Sequence, residues 1–235
     1  MKTLKESLIS KSNREWASTS NGKYHLDKSD SARVNGHKLY RIIADKNFND
    51  IKVGDKGGYI ESEKNLSSEG NCWVYDDAVV YENAQVYENA KVYGNTQVYG
   101  NAIVYENAKV YGQAFISGDA QVYGNAEIFD DAKVYGNASI STYVKVYKNA
   151  EIYGKAEISG YAQVYGDAQV YGDAQVYNNA LVYGDAEIYG KAEIYGKAKI
   201  YGYTEIRGNA KIYGNAEIHG NAEVDYKVNK GEITE

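Results

Sequence analysis

Proline is absent from the 235 residues, cysteine and methionine occur once each, and histidine three times. A single cysteine excludes an internal disulfide framework. Cys72 falls at a position that other repeats fill with Ala, so a buried, inert thiol is expected. No apolar run reaches the length of a signal-peptide core or a membrane span, which points to a cytoplasmic protein without a membrane partner. With only His25, His37 and His219, there is no spaced Cys/His cluster for zinc. A GxSxG elbow and a phosphate loop are missing as well. No cofactor or metal is therefore expected.

The residues that are abundant are 26 Tyr and 24 Gly, far from average globular usage. They recur inside a six-residue phrase, most often Val-Tyr-Gly-Asn-Ala-Gln, running from Val74 to Val228. Stepping by six from Val74 to Val224 meets Val or Ile every time, 26 in all. Four residues after each stands Ala, or else Thr96, Val144, Thr204 or Val228. So short a fixed period predicts an all-β fold, a parallel β-helix of hexapeptide repeats, in which stacking supplies the core that one repeat cannot.

Alternation along a strand accounts for one repeat. In Ala90-Lys91-Val92-Tyr93, Ala90 and Val92 point inward while Lys91 and Tyr93 face solvent. Gly94-Asn95 then turns a corner, because Gly reaches positive φ freely and Asn or Asp reaches it at least cost otherwise. Three six-residue sides make a triangular coil of 18, and the repeats predict a rod a little under nine coils long. The recurring Gly-Asn and Gly-Asp pairs read as turns. They lack the nonapeptide spacing of calcium-binding β-rolls.

Four segments follow from the pattern. Residues 1–22 read as a polar, flexible lead with at most one short helix, and residues 23–65 as a small β-rich cap. Residues 66–229 form the β-helix, and 230–235 a charged tail. Within the cap, Lys38–Ile43 and Asp50–Val53 look like strands, and Asn35-Gly36 is a hairpin turn signal. A cap is needed because an open first coil presents unpaired strand edges. Charge is uneven: residues 1–65 carry 13 basic and 9 acidic groups, the remainder 13 and 23.

The stretch Phe48-Asn49-Asp50-Ile51-Lys52-Val53-Gly54-Asp55-Lys56-Gly57-Gly58-Tyr59-Ile60-Glu61, followed by Asn65-Leu66-Ser67 and Gly70-Asn71-Cys72-Trp73-Val74-Tyr75-Asp76, resembles the N-terminal signature of YdcK-type hexapeptide-repeat proteins. These are bacterial and prophage proteins often labelled transferases. The resemblance covers residues 38–80 by motif and the rest by repeat type, and it implies a left-handed β-helix. It also implies an acyltransferase as one alternative, since many members of the wider superfamily use acetyl-CoA or acyl carrier protein. Such enzymes place a His base beside a cleft between subunits, often with a loop projecting from the helix. Here the repeats are uninterrupted, and no partner or pocket is visible in the sequence around His219.

Residues 18 apart stack on one face. Face one carries Tyr75, Tyr93, Tyr111, Phe129, Tyr147, Tyr165, Tyr183, Tyr201 and His219. Beside it run Trp73, Lys91, Lys109, Glu127, Lys145, Gln163, Leu181, Lys199 and Glu217. The columns of the other faces are interrupted at Ser117, and at Ser141 and Ser159. Face one alone joins an unbroken aromatic column to several lysines. The expected binding residues are thus Tyr75, Tyr93, Tyr111, Phe129, Tyr147, Tyr165, Tyr183 and Tyr201 with Lys91, Lys109, Lys145 and Lys199. The expected function is a non-enzymatic, phage- or prophage-associated rod that docks on a protein or nucleoprotein. Given the prophage resemblance, inhibition of a host defence nucleoprotein is its specific form. Nucleic acid, polysaccharide and a further copy of the chain are alternative partners, and a passive spacer is the alternative without one.

Overall fold

The computed structural model describes residues 22–234, so the lead expected before Gly22 lies outside the described residues. Hydrogen-bonded sheets of 12, 10 and 9 strands make the three sides of a parallel β-solenoid. Neighbouring strands pair in register 18 residues apart, as in Lys91↔Lys109 and Lys109↔Glu127. Every inward Val, Ile and Ala from Ala78 to Val224 is buried in one continuous core. An inward branched side chain contributes about 1.5–3 kcal/mol by leaving water, and its small Ala partner lets opposite sides approach.

The corners follow the expected chemistry with one widening. Gly94 takes φ 73, and a Cβ there would meet the Gly112 carbonyl oxygen at 2.7 Å. Yet Glu82, Glu88 and Glu106 also adopt positive φ. The carboxylate helps: Glu82 Oε2 accepts from the Gly100 N–H at 2.8 Å, a group the regular ladder leaves unused.

At both ends the solenoid departs from the six-residue count. Ile60 pairs with Val80 and Leu66 bridges to Val86, so the first coil begins inside the stretch read as cap. It escapes the count because the step from Leu66 to Val74 is eight positions, not six. At the far end Val228 pairs with Ile212, not at an Ala-like position, and Ile233 pairs with Ile218 from within the expected tail. The last coil is shorter than 18, which ends the phase without ending the sheet. The sheet that includes Trp73–Val74 thereby reaches ten strands, about ten coils instead of just under nine.

The cap grows from one sheet. Strands β1 (Tyr24–Val34) and β2 (His37–Ala44) form an antiparallel hairpin through Asn35 and Gly36, at φ 50 and 88 as an Asn-Gly turn requires. β2 pairs antiparallel with β3 (Lys56–Ile60), which pairs parallel with Val79–Val80. The hairpin therefore occupies the edge that needed covering. Gly57 and Gly58 let β3 press onto the coil, because a Cβ would lie 2.5 Å from the Val74 oxygen or 2.4 Å from that of Ala78. The strand expected at Asp50–Val53 does not form beyond a Phe48↔Ile51 bridge. Asp55 Oδ2 accepts from Lys52 N at 2.7 Å and Asn47 Oδ1 from Val53 N at 2.9 Å, taking the donors a ladder would use.

Beneath the cap Lys23 is fully buried. Its Nζ reaches the carbonyls of Ser67 and Glu69 at 3.2 and 3.3 Å and Cys72 Sγ at 3.3 Å. Those carbonyls belong to the extra residues of the first coil. Burial pushes the Lys23 ammonium down and the Cys72 thiol up from their ordinary values. Among the described residues, no helix is long and apolar enough to cross a membrane.

Candidate functional site

The sequence pattern fixes the column of face one. Each ring sits two residues after the first residue of a short strand, so the in-register sheet places rings one coil apart. From Tyr111 to His219 every step is a stacked pair, with centroids 4.7–4.9 Å apart and planes within 8°. Above it Tyr93 meets Tyr111 at 5.4 Å with tilted rings, and Tyr75 meets Tyr93 edge to face at 5.5 Å. The other columns break at the serines: Tyr99 is not followed by Tyr135, nor Tyr123 by Tyr177. All these rings are half-buried, and crowding raises the Tyr111 hydroxyl to a pKa of about 12, with Glu127 adding to the effect.

The lysines beside the column are not free cations. Lys91 Nζ lies 2.9 Å from Asp50 of the cap, and Lys109 and Lys145 converge on Glu127 at 3.4 and 3.2 Å. Lys199 lies 2.6 Å from Glu217. Pairing holds the Asp50 and Glu127 carboxyls below their usual range despite partial burial. Tyr75 is likewise engaged, its hydroxyl 3.1 Å from Asp50 Oδ2. Trp73, placed by the sequence at the head of the outward lysine row, is fully buried, with Phe48 at 5.4 Å and Tyr24 at 6.1 Å. The cap covers it.

Sequence reasoning missed two residues that shape this face. Tyr143 and Tyr161 stand at a corner where the coils on either side have Asn125 and Asn179. They are 48% and 59% exposed, more than any ring of the column, and stack on each other at 4.9 Å. The signal was a Tyr out of phase with the Val-Tyr repeat. With Asn107 and Asn125 they form one wall of a groove of about 460 Å³. Lys109, Glu127, Lys145 and Gln163 form the other wall. A second groove lined by Asn71, Asn89 and Lys91 leads into it through Asn107 and Lys109.

Each histidine has a carboxylate neighbour. His25 Nδ1 is 2.6 Å from Asp45, His37 Nδ1 is 2.9 Å from Glu61, and His219 Nε2 is 2.6 Å from Glu232. The last contact corrects the expectation that His219 has no partner: the short final coil folds Glu232 back beneath it. The principal grooves of the described residues have no histidine in their linings.

Residues 96–112 and 174–190 match a family model described as the YdcK Beta solenoid repeat. In its hexapeptide repeat the chain is similar to YdcK-type β-solenoid proteins. A relative from Escherichia coli (strain K12), "Uncharacterized acetyltransferase YdcK", is 53% identical over 38 residues. That alignment spans 16% of this chain and 12% of the relative. The similarity is thus one of repeat and fold, and the relative's printed activity remains that protein's own.

Proposed function

We propose that the protein is a non-enzymatic, cytoplasmic docking rod, phage- or prophage-associated, whose face one binds a protein or nucleoprotein partner. The observation that carries this reading is the unbroken column from Tyr75 to His219. Stacked, half-buried rings have already lost their rotamer freedom, so a partner that covers them orders little more. Tyrosine also offers apolar area with a hydroxyl for hydrogen bonding, the combination enriched at interfaces. Because the lysines are paired within the rod, complementarity rests on the rings more than on net positive charge. The prophage association rests on the sequence resemblance.

Partner capture from host lysate tests the reading with Tyr111→Ala, Tyr147→Ala and Tyr165→Ala against Tyr135→Ala, Tyr153→Ala and Tyr171→Ala. Loss of a defined partner with the first set alone supports face one. Loss with the second set alone moves the interface to the face of Tyr135, Tyr153 and Tyr171, where Glu151 and Glu187 accept from Tyr135 and Tyr171.

A second reading is an acyltransferase, favoured by the His219–Glu232 contact and the relative's name. A carboxylate beside imidazole can orient a general base. Acetyl-CoA turnover abolished by His219→Ala would establish this reading in place of the first.

A further inference from the structure

We propose that the groove beside Tyr143 and Tyr161 is a glycan-binding site for an extended chain of neutral pyranose rings lying along the rod. It is separate from the aromatic column, and neither site needs the other.

The first ground is an open ring face. In the column of face one, an inner ring has a neighbour above and below. The corner stack is only two rings high, and the next corner residue toward the cap is Asn125. The Tyr143 face turned toward Asn125 therefore has no aromatic neighbour, and it borders the groove. A flat ring placed there would continue the stack. The negative face of a tyrosine ring attracts the weakly positive C–H face of a pyranose.

The second ground is uncommitted amides at the same place. Down this corner Asn71 Nδ2 donates to Asn89 Oδ1 at 3.1 Å, and Asn89 Nδ2 to Asn107 Oδ1 at 3.2 Å. The ladder then stops. Among the described residues, Asn107 Nδ2 and the whole Asn125 carboxamide have no side-chain hydrogen-bond partner, and both residues are exposed. Carboxamides donate and accept at once, as vicinal sugar hydroxyls require.

The third ground is charge. Glu127 engages both Lys109 and Lys145, so both ammoniums of the opposite wall are already bonded and the wall keeps one net positive charge. A polyanion would have to compete with that carboxylate, whereas a neutral chain would not. The repeat fits as well: coils and amides recur at about 4.8 Å along the rod, close to the advance of one sugar ring in an extended β-1,4 chain. The second groove continues the path toward Asn49 in the cap.

Calorimetric titration with cellohexaose and chitohexaose, beside oligothymidylate, tests this. The variants are Tyr143→Asn with Tyr161→Asn, which install the residue of neighbouring coils and so keep the fold, and Tyr203→Asn, an exposed Tyr on a different corner. The expected result is saturable binding of at least one hexasaccharide, weakened by an order of magnitude or more in the double variant and unchanged in Tyr203→Asn. No binding of either hexasaccharide, equal binding by the double variant, or preferential binding of oligothymidylate would overturn the proposal. Tyr147→Ala, which tests the docking face, is expected to leave glycan binding intact, so the two readings fail separately.

Discussion

Lys91 Nζ lies 2.9 Å from Asp50 Oδ1, and the same carboxylate meets the Tyr75 hydroxyl, so one cap residue fastens the upper end of the aromatic column. Asp50 is 53% exposed, and solvent screens the pair. Asp50→Ala should therefore cost no more than about 1 kcal/mol in denaturant unfolding. Because Lys91 holds the Asp50 carboxyl low, this contribution is present above the unfolded carboxylate pKa and fades as pH falls through the folded one. A loss of several kcal/mol would mean that the cap depends on this one contact.

The core tolerates little added volume. Ala126 and Ala168 are fully buried between aliphatic neighbours, so Ala126→Leu or Ala168→Leu should cost about 1–3 kcal/mol by overpacking. Gln121 is exposed on the same kind of strand, and Gln121→Leu should be nearly silent. Equal shifts in melting temperature at the two kinds of position would refute the register.

The solenoid was legible because a single alternation rule acts on every repeat, from Val74 to Val224. Legibility ended where the phase slips. Ile60 and Leu66 were hidden by the two extra residues before Val74, and Val228 by the shortened last coil. The column of face one was legible too, since stacking follows from register. Its salt bridges were not, because whether Lys145 turns toward Glu127 or Gln163 depends on rotamers, which a repeat does not specify. Nor was the burial of Trp73 beneath residues far away in sequence.

Thr142 holds φ 63, a left-handed value costly for a branched side chain, at the corner before Tyr143. Equivalent corners use Gly, as at Gly124 and Gly160. Thr142→Gly should raise stability by about 1 kcal/mol, the left-handed penalty exceeding the extra entropy glycine loses. A lower melting temperature would show that the Thr142 hydroxyl, 3.3 Å from that of Ser141, outweighs the strain.

His37 and Glu61 titrate as partners. Their hydrogen bond raises the imidazole and lowers the carboxyl from their ordinary values. The histidine contribution is full below the unfolded pKa of about 6.5 and disappears as pH rises through the folded value. The glutamate contribution is present above about 4.3 and disappears as pH falls through its own lowered value. Wild type minus His37→Gln, measured as denaturant midpoint, should therefore be largest between about pH 4.5 and 6.5 and shrink on the alkaline side. A difference constant into the alkaline range would show that His37 acts by packing against Tyr81, 5.2 Å away, and not by charge.

Tyr111 and Tyr135 report the crowding of two different columns. Burial pushes both hydroxyls up to about 12, helped by Glu127 beside Tyr111 and by Glu151, which accepts from Tyr135 at 3.1 Å. An unfolded tyrosine ionises near 10. Between about pH 10 and 12 the native state thus keeps a proton that the unfolded chain has lost, and stability falls as pH rises. Alkaline absorbance titration of wild type against Tyr111→Phe and Tyr135→Phe should show no difference attributable to either residue until the pH approaches 12. Ionisation of Tyr111 near 10 in a chain still folded by circular dichroism would mean that the column is open to water, and the rigid, pre-stacked face required for docking would be lost with it.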